Sequence, residues 1–197
     1  KSFNNHWGVP LTLARMPADT SFGVFEIGMN HAGEITPLTQ MVRPHIAIVT
    51  TVEAAHLEAF DSIEDIARAK AEIFTGLEPG GVAVLNRDNP HYALLRAAAV
   101  ARAGVNVASF GSVAVPPGDG DRSLRLVSVE DRGALTAIVA RRGHEAGADG
   151  DSGAGGNSNA GSAARHIGFE IGASGRHMVL NALAAAAALD AAGVDIA

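Results

Sequence analysis

Three apolar runs, at residues 46–52, 82–85 and 105–110, alternate with stretches of helical periodicity at 62–77 and 90–103. Short apolar runs suit buried strands, and apolar residues recurring every three or four positions mark one face of a helix. Strand–helix alternation with short connections predicts a parallel sheet covered by helices. Upstream, residues 22–27 read as a further buried strand and 34–42 as a helix. The character then changes: residues 124–130, 134–141 and 167–171 are short and alternating, which predicts antiparallel strands, with Asp131-Arg132-Gly133 as a turn. The expected class is α/β, a mostly parallel sheet flanked by helices with a small antiparallel section toward the C-terminal part. Residues 147–164 are a low-complexity Gly/Ala/Ser/Asn tract that cannot form a core and is expected to be a flexible expansion of a hairpin loop. Beyond it, Ser174-Gly175-Arg176-His177 leads into an Ala/Leu helix expected to end near Gly193.

At 197 residues the chain is long enough for one domain with a real core. Its net charge of −6 includes no basic block, so no nucleic-acid partner is expected. The absence of cysteine excludes disulfides, thiol catalysis and Cys-ligated zinc, and fits a cytoplasmic protein. No apolar stretch reaches membrane-spanning length and no signal-peptide pattern is present, so no membrane insertion is expected. The chain begins at Lys1, as if inside a folded element, and stops soon after a helix; it reads as a piece of a longer protein.

Glu26 is the first residue that suggests chemistry. It stands within the apolar run 22–27, just before the Gly-punctuated polar turn Gly28-Met29-Asn30-His31-Ala32-Gly33. Strand ends are where open α/β sheets gather their ligand sites, and a carboxylate buried there needs a cationic partner. Lys70 is the second. It lies +7, +4, −3, −4 and −7 from Ile63, Ile66, Ile73, Phe74 and Leu77, inside the apolar stripe of its helix. Such a lysine either snorkels at the stripe's edge or is held inward, where burial lowers its pKa and favours chemistry such as carbamate formation with carbon dioxide. His56 follows the strand at 46–52 and is either a surface loop residue or a third contributor. Glu26, His56 and an oxygen carried on Lys70 would suit a hard cation with water and phosphate completing its shell. Zinc is less suited, because the eight histidines form no close ligand pair such as H-E-x-x-H.

Several amides and a strand end complete the set. Asn4 and Asn5 precede a Gly-Val-Pro turn into a short helix, where adjacent amides commonly cap and turn the chain. Asn181 interrupts the Ala/Leu helix, so its amide either satisfies a local backbone group or faces a ligand such as a purine edge. Asn86 and Asp88 stand at another strand end, in a sequence that is also a good turn. No G-x-x-x-x-G-K-[ST] phosphate loop occurs anywhere in the chain.

Taken together, five segments closely resemble the central domain of the Mur ligases over nearly the whole chain outside the low-complexity tract. They are Phe3-Asn4-Asn5-His6-Trp7-Gly8-Val9-Pro10-Leu11-Thr12-Leu13, Glu26-Ile27-Gly28-Met29-Asn30-His31-Ala32-Gly33-Glu34-Ile35, Ala55-His56-Leu57-Glu58, Ala69-Lys70-Ala71-Glu72-Ile73-Phe74, and Gly175-Arg176-His177 with Asn181-Ala182-Leu183-Ala184-Ala185. The second segment resembles the branch that joins D-alanyl-D-alanine to UDP-N-acetylmuramoyl-tripeptide. The resemblance implies a P-loop NTPase-like fold and an ATP- and magnesium-dependent amide-forming reaction of peptidoglycan precursor synthesis, in a cytoplasmic monomer. By matching position it implies that Glu26 and His56 are magnesium ligands, that Lys70 is a carbamoylated lysine beside the metal, and that Asn181 contacts adenine. Asn4, Asn5, Asn30 and His31 are implied to line the substrate side.

The phosphate loop, an N-terminal UDP-binding domain and a C-terminal domain, all implied by the family, are not in these residues, so the chain alone is expected to be inactive. Two other readings stand beside this one: a Mur-type ligase acting on another amino acid or on folate, and a non-catalytic nucleotide-binding module.

Overall fold

The computed structural model describes residues 3–54, 58–116, 119, 122–143 and 165–196. The low-complexity tract and His56 lie outside the described residues. The chain divides into two compact units, one of Lys1–Leu85 with Asn89–Val107 and the other of Asn86–Asp88 with Ala108–Ala197. The described strands form a mixed sheet in which they follow one another in chain order, flanked by helices as the alternation predicts.

The first unit contains α1 (Gly8–Arg15), α2 (Ile35–Val42), β1 (Ile46–Val49), α3 (Ile63–Ala71), β2 (Val82–Asn86, up to Leu85) and α4 (Tyr92–Val100). Strands β1 and β2 pair in parallel, Ile46 against Val82 through Val49 against Leu85. Their inward residues pack with Ile66, Phe74, Leu77 and Leu95 in one apolar core. Helix α3 starts where Ser62 accepts the Asp65 N–H at 3.1 Å, with Glu64 and Asp65 in its first turn, both favourable at a helix N-terminus.

The helix predicted over 62–77 ends early. After Ala71 the chain tightens into a 3-10 turn, Glu72–Gly76, which carries Gly76 against the backbone of Thr39 in α2. A Cβ at Gly76 would overlap the Thr39 carbonyl, so this approach requires glycine. Gly76→Ala is expected to destabilise the chain by about 3 kcal/mol, as overpacking does. Thermal denaturation would show a Tm lowered by roughly 6–12 °C.

The predicted strand at 22–27 does not form. The segment forms neither helix nor strand and pairs with no strand among the described residues, and Phe22 and Val24 are 69% and 95% exposed. A strand requires a ladder partner for its backbone groups, and the strand order ends at β1. The segment's close is tied instead to the N-terminal loop, the Gly28 N–H donating to the Asn4 carbonyl at 2.8 Å.

The second unit holds most of β3 (Asn106–Gly111), then β4 (Leu124–Asp131), β5 (Thr136–Arg142), β6 (His166–Ile171) and α5 (Arg176–Ala191). Strands β3 and β4 pair in parallel, and β4, β5 and β6 pair antiparallel. The predicted turn forms: Gly133 takes φ +80°, and its N–H donates to Asp131 Oδ1 at 3.0 Å. On β5 the residues alternate, with Thr136, Ile138 and Ala140 buried. Val179, Leu183, Ala184 and Ala187 form the buried face of α5. That helix closes as predicted, with Gly193 at φ +81° and the Gly193 and Val194 N–H groups bonded to the carbonyls of Asp190 and Leu189.

Candidate functional site

In the first unit, Glu26 is exposed rather than buried in a strand, which corrects the sequence expectation. Because 22–27 pairs with no strand among the described residues, the carboxylate meets solvent and desolvation does not demand a cation. The Asn4 side-chain amide donates to Glu26 Oε1 at 2.8 Å. Asn4 therefore holds this segment twice, through its side chain at Glu26 and its carbonyl at Gly28. Glu26 lines a cavity of about 180 Å³ with Phe3, Thr12, Val24 and Phe25, smaller than the roughly 300–1,000 Å³ of ordinary small-molecule sites.

Asn5 acts as a cap. Its Oδ1 accepts the N–H groups of Trp7 and Gly8 at 3.1 and 3.0 Å, where α1 begins. Asn30 and His31 sit on the exposed turn before α2, organised by Glu34. Glu34 accepts the Asn30 N–H at 2.7 Å and contacts His31 Nδ1 at 3.1 Å. The Asn30 N–H first, and His31 next, hold the Glu34 carboxyl below its ordinary pKa.

Lys70 is half-buried in the last turn of α3, with Ile66 and Ala69 buried beside it on the same helix. Desolvation lowers the pKa of its ammonium. This matches a lysine turned toward the apolar stripe and raises the share of neutral amine, the form that reacts with carbon dioxide.

Asn181 lies in the second unit, exposed on α5, and its amide makes no hydrogen bond among the described residues. The start of α5 is held by Asp88, whose carboxylate accepts from the Ser112 N–H and hydroxyl at 2.8 Å each, from the Val113 N–H at 3.2 Å, and from Arg176 at 2.7 Å. Asn86 serves the turn, its Oδ1 accepting the Asp88 N–H at 2.9 Å.

Arg87, between them, is buried and reaches Ser109 Oγ, the Val113 carbonyl and the Leu124 carbonyl at 2.9, 3.1 and 3.0 Å. Sequence reasoning placed Asp88 at a strand end but missed the burial of Arg87, for which N-R-D-N-P gives no signal beyond a turn.

Among the described residues no three His, Asp or Glu side chains converge as a metal-holding group. The exposed Glu26 carboxylate nevertheless offers hard oxygen donors of the kind magnesium takes.

Residues 1–189 match the Mur ligase middle domain. The chain belongs to that family. Similarity to named relatives covers this middle domain to different extents. UDP-N-acetylmuramoyl-tripeptide--D-alanyl-D-alanine ligase of Mycobacterium leprae is 33% identical over 189 residues, 95% of this chain and 33% of that protein. The ligase of the same name from Escherichia coli is 46% identical over 88 residues, 45% of this chain and 20% of that protein.

Among solved structures, MurF from Acinetobacter baumannii superposes with a TM-score of 0.76 at 28% identity, covering 100% of this chain and 36% of that one. MurF from Thermotoga maritima, crystallised with ADP, shares the fold, with a TM-score of 0.69 at 21% identity over 97% of this chain and 38% of that one. This Mur ligase middle domain thus spans about a third or less of the length of these curated relatives. No helix of the described residues is long and apolar enough to cross a membrane.

Proposed function

We propose that this middle domain belongs to an ATP-dependent ligase that joins D-alanyl-D-alanine to UDP-N-acetylmuramoyl-tripeptide, in a cytoplasmic monomer. The observation that carries the reading is the family match over residues 1–189 together with the names of the relatives. In such a reaction the γ-phosphoryl group of ATP passes to the tripeptide's terminal carboxylate. The dipeptide amine then attacks the acyl phosphate, forming the amide and releasing phosphate.

The residues of this chain supply binding and orientation. Glu26, His56 and a carbamoylated Lys70 would hold magnesium, which when bound neutralises phosphate charge. Asn4 keeps the Glu26 carboxylate in place through its amide. Asn5, Asn30 and His31 belong to the substrate side, the last two on the turn braced by Glu34. Asn181 offers its unpaired amide to adenine. Holding both substrates in one geometry lowers the barrier by removing their freedom to diffuse apart.

The test uses the full-length protein with ATP, magnesium, UDP-N-acetylmuramoyl-tripeptide and D-alanyl-D-alanine. Formation of the pentapeptide product with stoichiometric ADP is expected; folded protein that forms none overturns the reading. The 197-residue chain alone, which carries no phosphate-loop motif, is expected to hydrolyse no ATP above background. Measurable turnover by that chain would show that its own residues cradle the phosphates.

A further inference from the structure

Helix α2 starts without a cap from its own first residues. Glu34 occupies the N-cap position in helical geometry, φ −76° and ψ −29°, and makes no side-chain capping bond. Its carboxylate turns back to Asn30 and His31. The leading N–H groups of a helix have no partner inside it and need an outside acceptor.

Glu72 provides that acceptor from far along the chain. Its Oε2 accepts the N–H and the hydroxyl of Thr36, each at 3.1 Å, and its Oε1 accepts the Gly33 N–H at 2.6 Å. Gly33 takes φ +87°, a left-handed conformation that glycine adopts without strain. Two carboxylates thus hold the turn before α2: Glu34 binds its beginning and Glu72 its end.

Glu72 directly follows Ala71, the last residue of α3, and Lys70 lies in the final turn of that helix. The carboxylate that fixes the Asn30–His31 turn is therefore two residues from Lys70 on a continuous stretch of helical backbone. Two further contacts make this attachment stiff. The Thr39 hydroxyl donates to the Ile73 carbonyl at 2.8 Å, and Gly76 rests against the Thr39 backbone.

We propose that Glu72 is a positioning residue that sets where Asn30 and His31 stand relative to Lys70, and so governs how the peptide substrates are held. It acts through the turn and touches no substrate. The inference rests on the ligase function proposed above. A simple helix cap would support stability alone, whereas a positioning residue also changes substrate handling in protein that remains folded.

The experiment compares full-length wild type with Glu72→Gln, which preserves shape but keeps one acceptor oxygen where two are used. Expected are a KM for the tripeptide or dipeptide substrate raised about tenfold, a KM for ATP within twofold of wild type, and a retained circular dichroism spectrum. Unchanged KM values, or changes in every constant that track the folded fraction, overturn the proposal.

If Glu72→Gln does not fold, Thr36→Val removes one donor to the same carboxylate and is expected to raise the peptide KM about threefold; no change there also overturns it. Hydrogen exchange separates this inference from the function on which it rests. In the 197-residue chain, the Gly33 and Thr36 amides should be protected, and Thr36→Val should speed exchange at both. Fast exchange in the wild-type chain refutes the clamp even if ligation is found. Absence of ligation by wild type refutes the function and, with it, the substrate-positioning role.

Discussion

On the proposed ligase function, Lys70→Ala in the full-length protein is expected to lower the ligation rate by a factor on the order of 10²–10³, the range found when one preorganised charge-stabilising group is removed. Lys70 is half-buried in the last turn of α3 and its ammonium is disfavoured by desolvation. If the working form is a carbamate, wild-type ligation should also fall when dissolved carbon dioxide is removed and recover when bicarbonate is added. The alanine variant should ignore both treatments. A variant ligating at a near-wild-type rate would remove Lys70 from the site.

The same lysine predicts a pH effect on stability. Its folded pKa lies below the unfolded value of about 10.4, so between the two the unfolded chain binds the extra proton and stability rises with pH. Lys70's contribution is full above the unfolded value and is lost as pH falls through the folded one. Lys70→Met should show no such rise, and urea denaturation of both proteins across the alkaline range measures the difference.

Arg87→Ala is expected to cost about 3–5 kcal/mol, the range for breaking a buried charge network by removing one member. Arg87 bonds to Ser109 Oγ and to the carbonyls of Val113 and Leu124. Ser109 in turn donates to Asp119, which is fully buried. Removing the guanidinium leaves carbonyl oxygens without that donor and a buried carboxylate without the cation bridged to it through Ser109. Arg87→Lys is not expected to restore the loss, because a single ammonium lacks the planar fork that reaches several acceptors. Urea denaturation measures both variants; an alanine variant within 1 kcal/mol of wild type would show that the network contributes little.

Much of this architecture is local in origin and therefore legible in the residue pattern. The runs that became β1 to β6 are apolar or alternating over the length of a strand, and Ser62 and Gly193 mark helix ends through their own chemistry. Lys70 was recognisable because helical spacing alone places it in the apolar stripe. The capping that adjacent amides near a turn commonly provide was legible at Asn5, whose oxygen caps α1.

Other features depend on partners that are distant in the chain. The run 22–27 has the composition of a strand, yet strand formation requires a neighbouring ladder, and composition does not specify whether one is present. Glu72 reads as an ordinary acidic residue in a helix, and its bonds reach back to Gly33 and Thr36. Arg87 reads as a turn residue, and its burial arises where the carbonyls of Val113 and of Leu124 at the start of β4 close around it.

The division has one physical basis. Periodicity, capping and turn chemistry act over a few residues, so helices, strands, the family motifs and the inward lysine follow from the order of amino acids. Capture of α2 by Glu72 and enclosure of Arg87 arise where segments tens of residues apart meet, and exposure of Glu26 where no strand pairs with its segment among the described residues, because hydrogen bonding and desolvation depend on which groups are brought together in space.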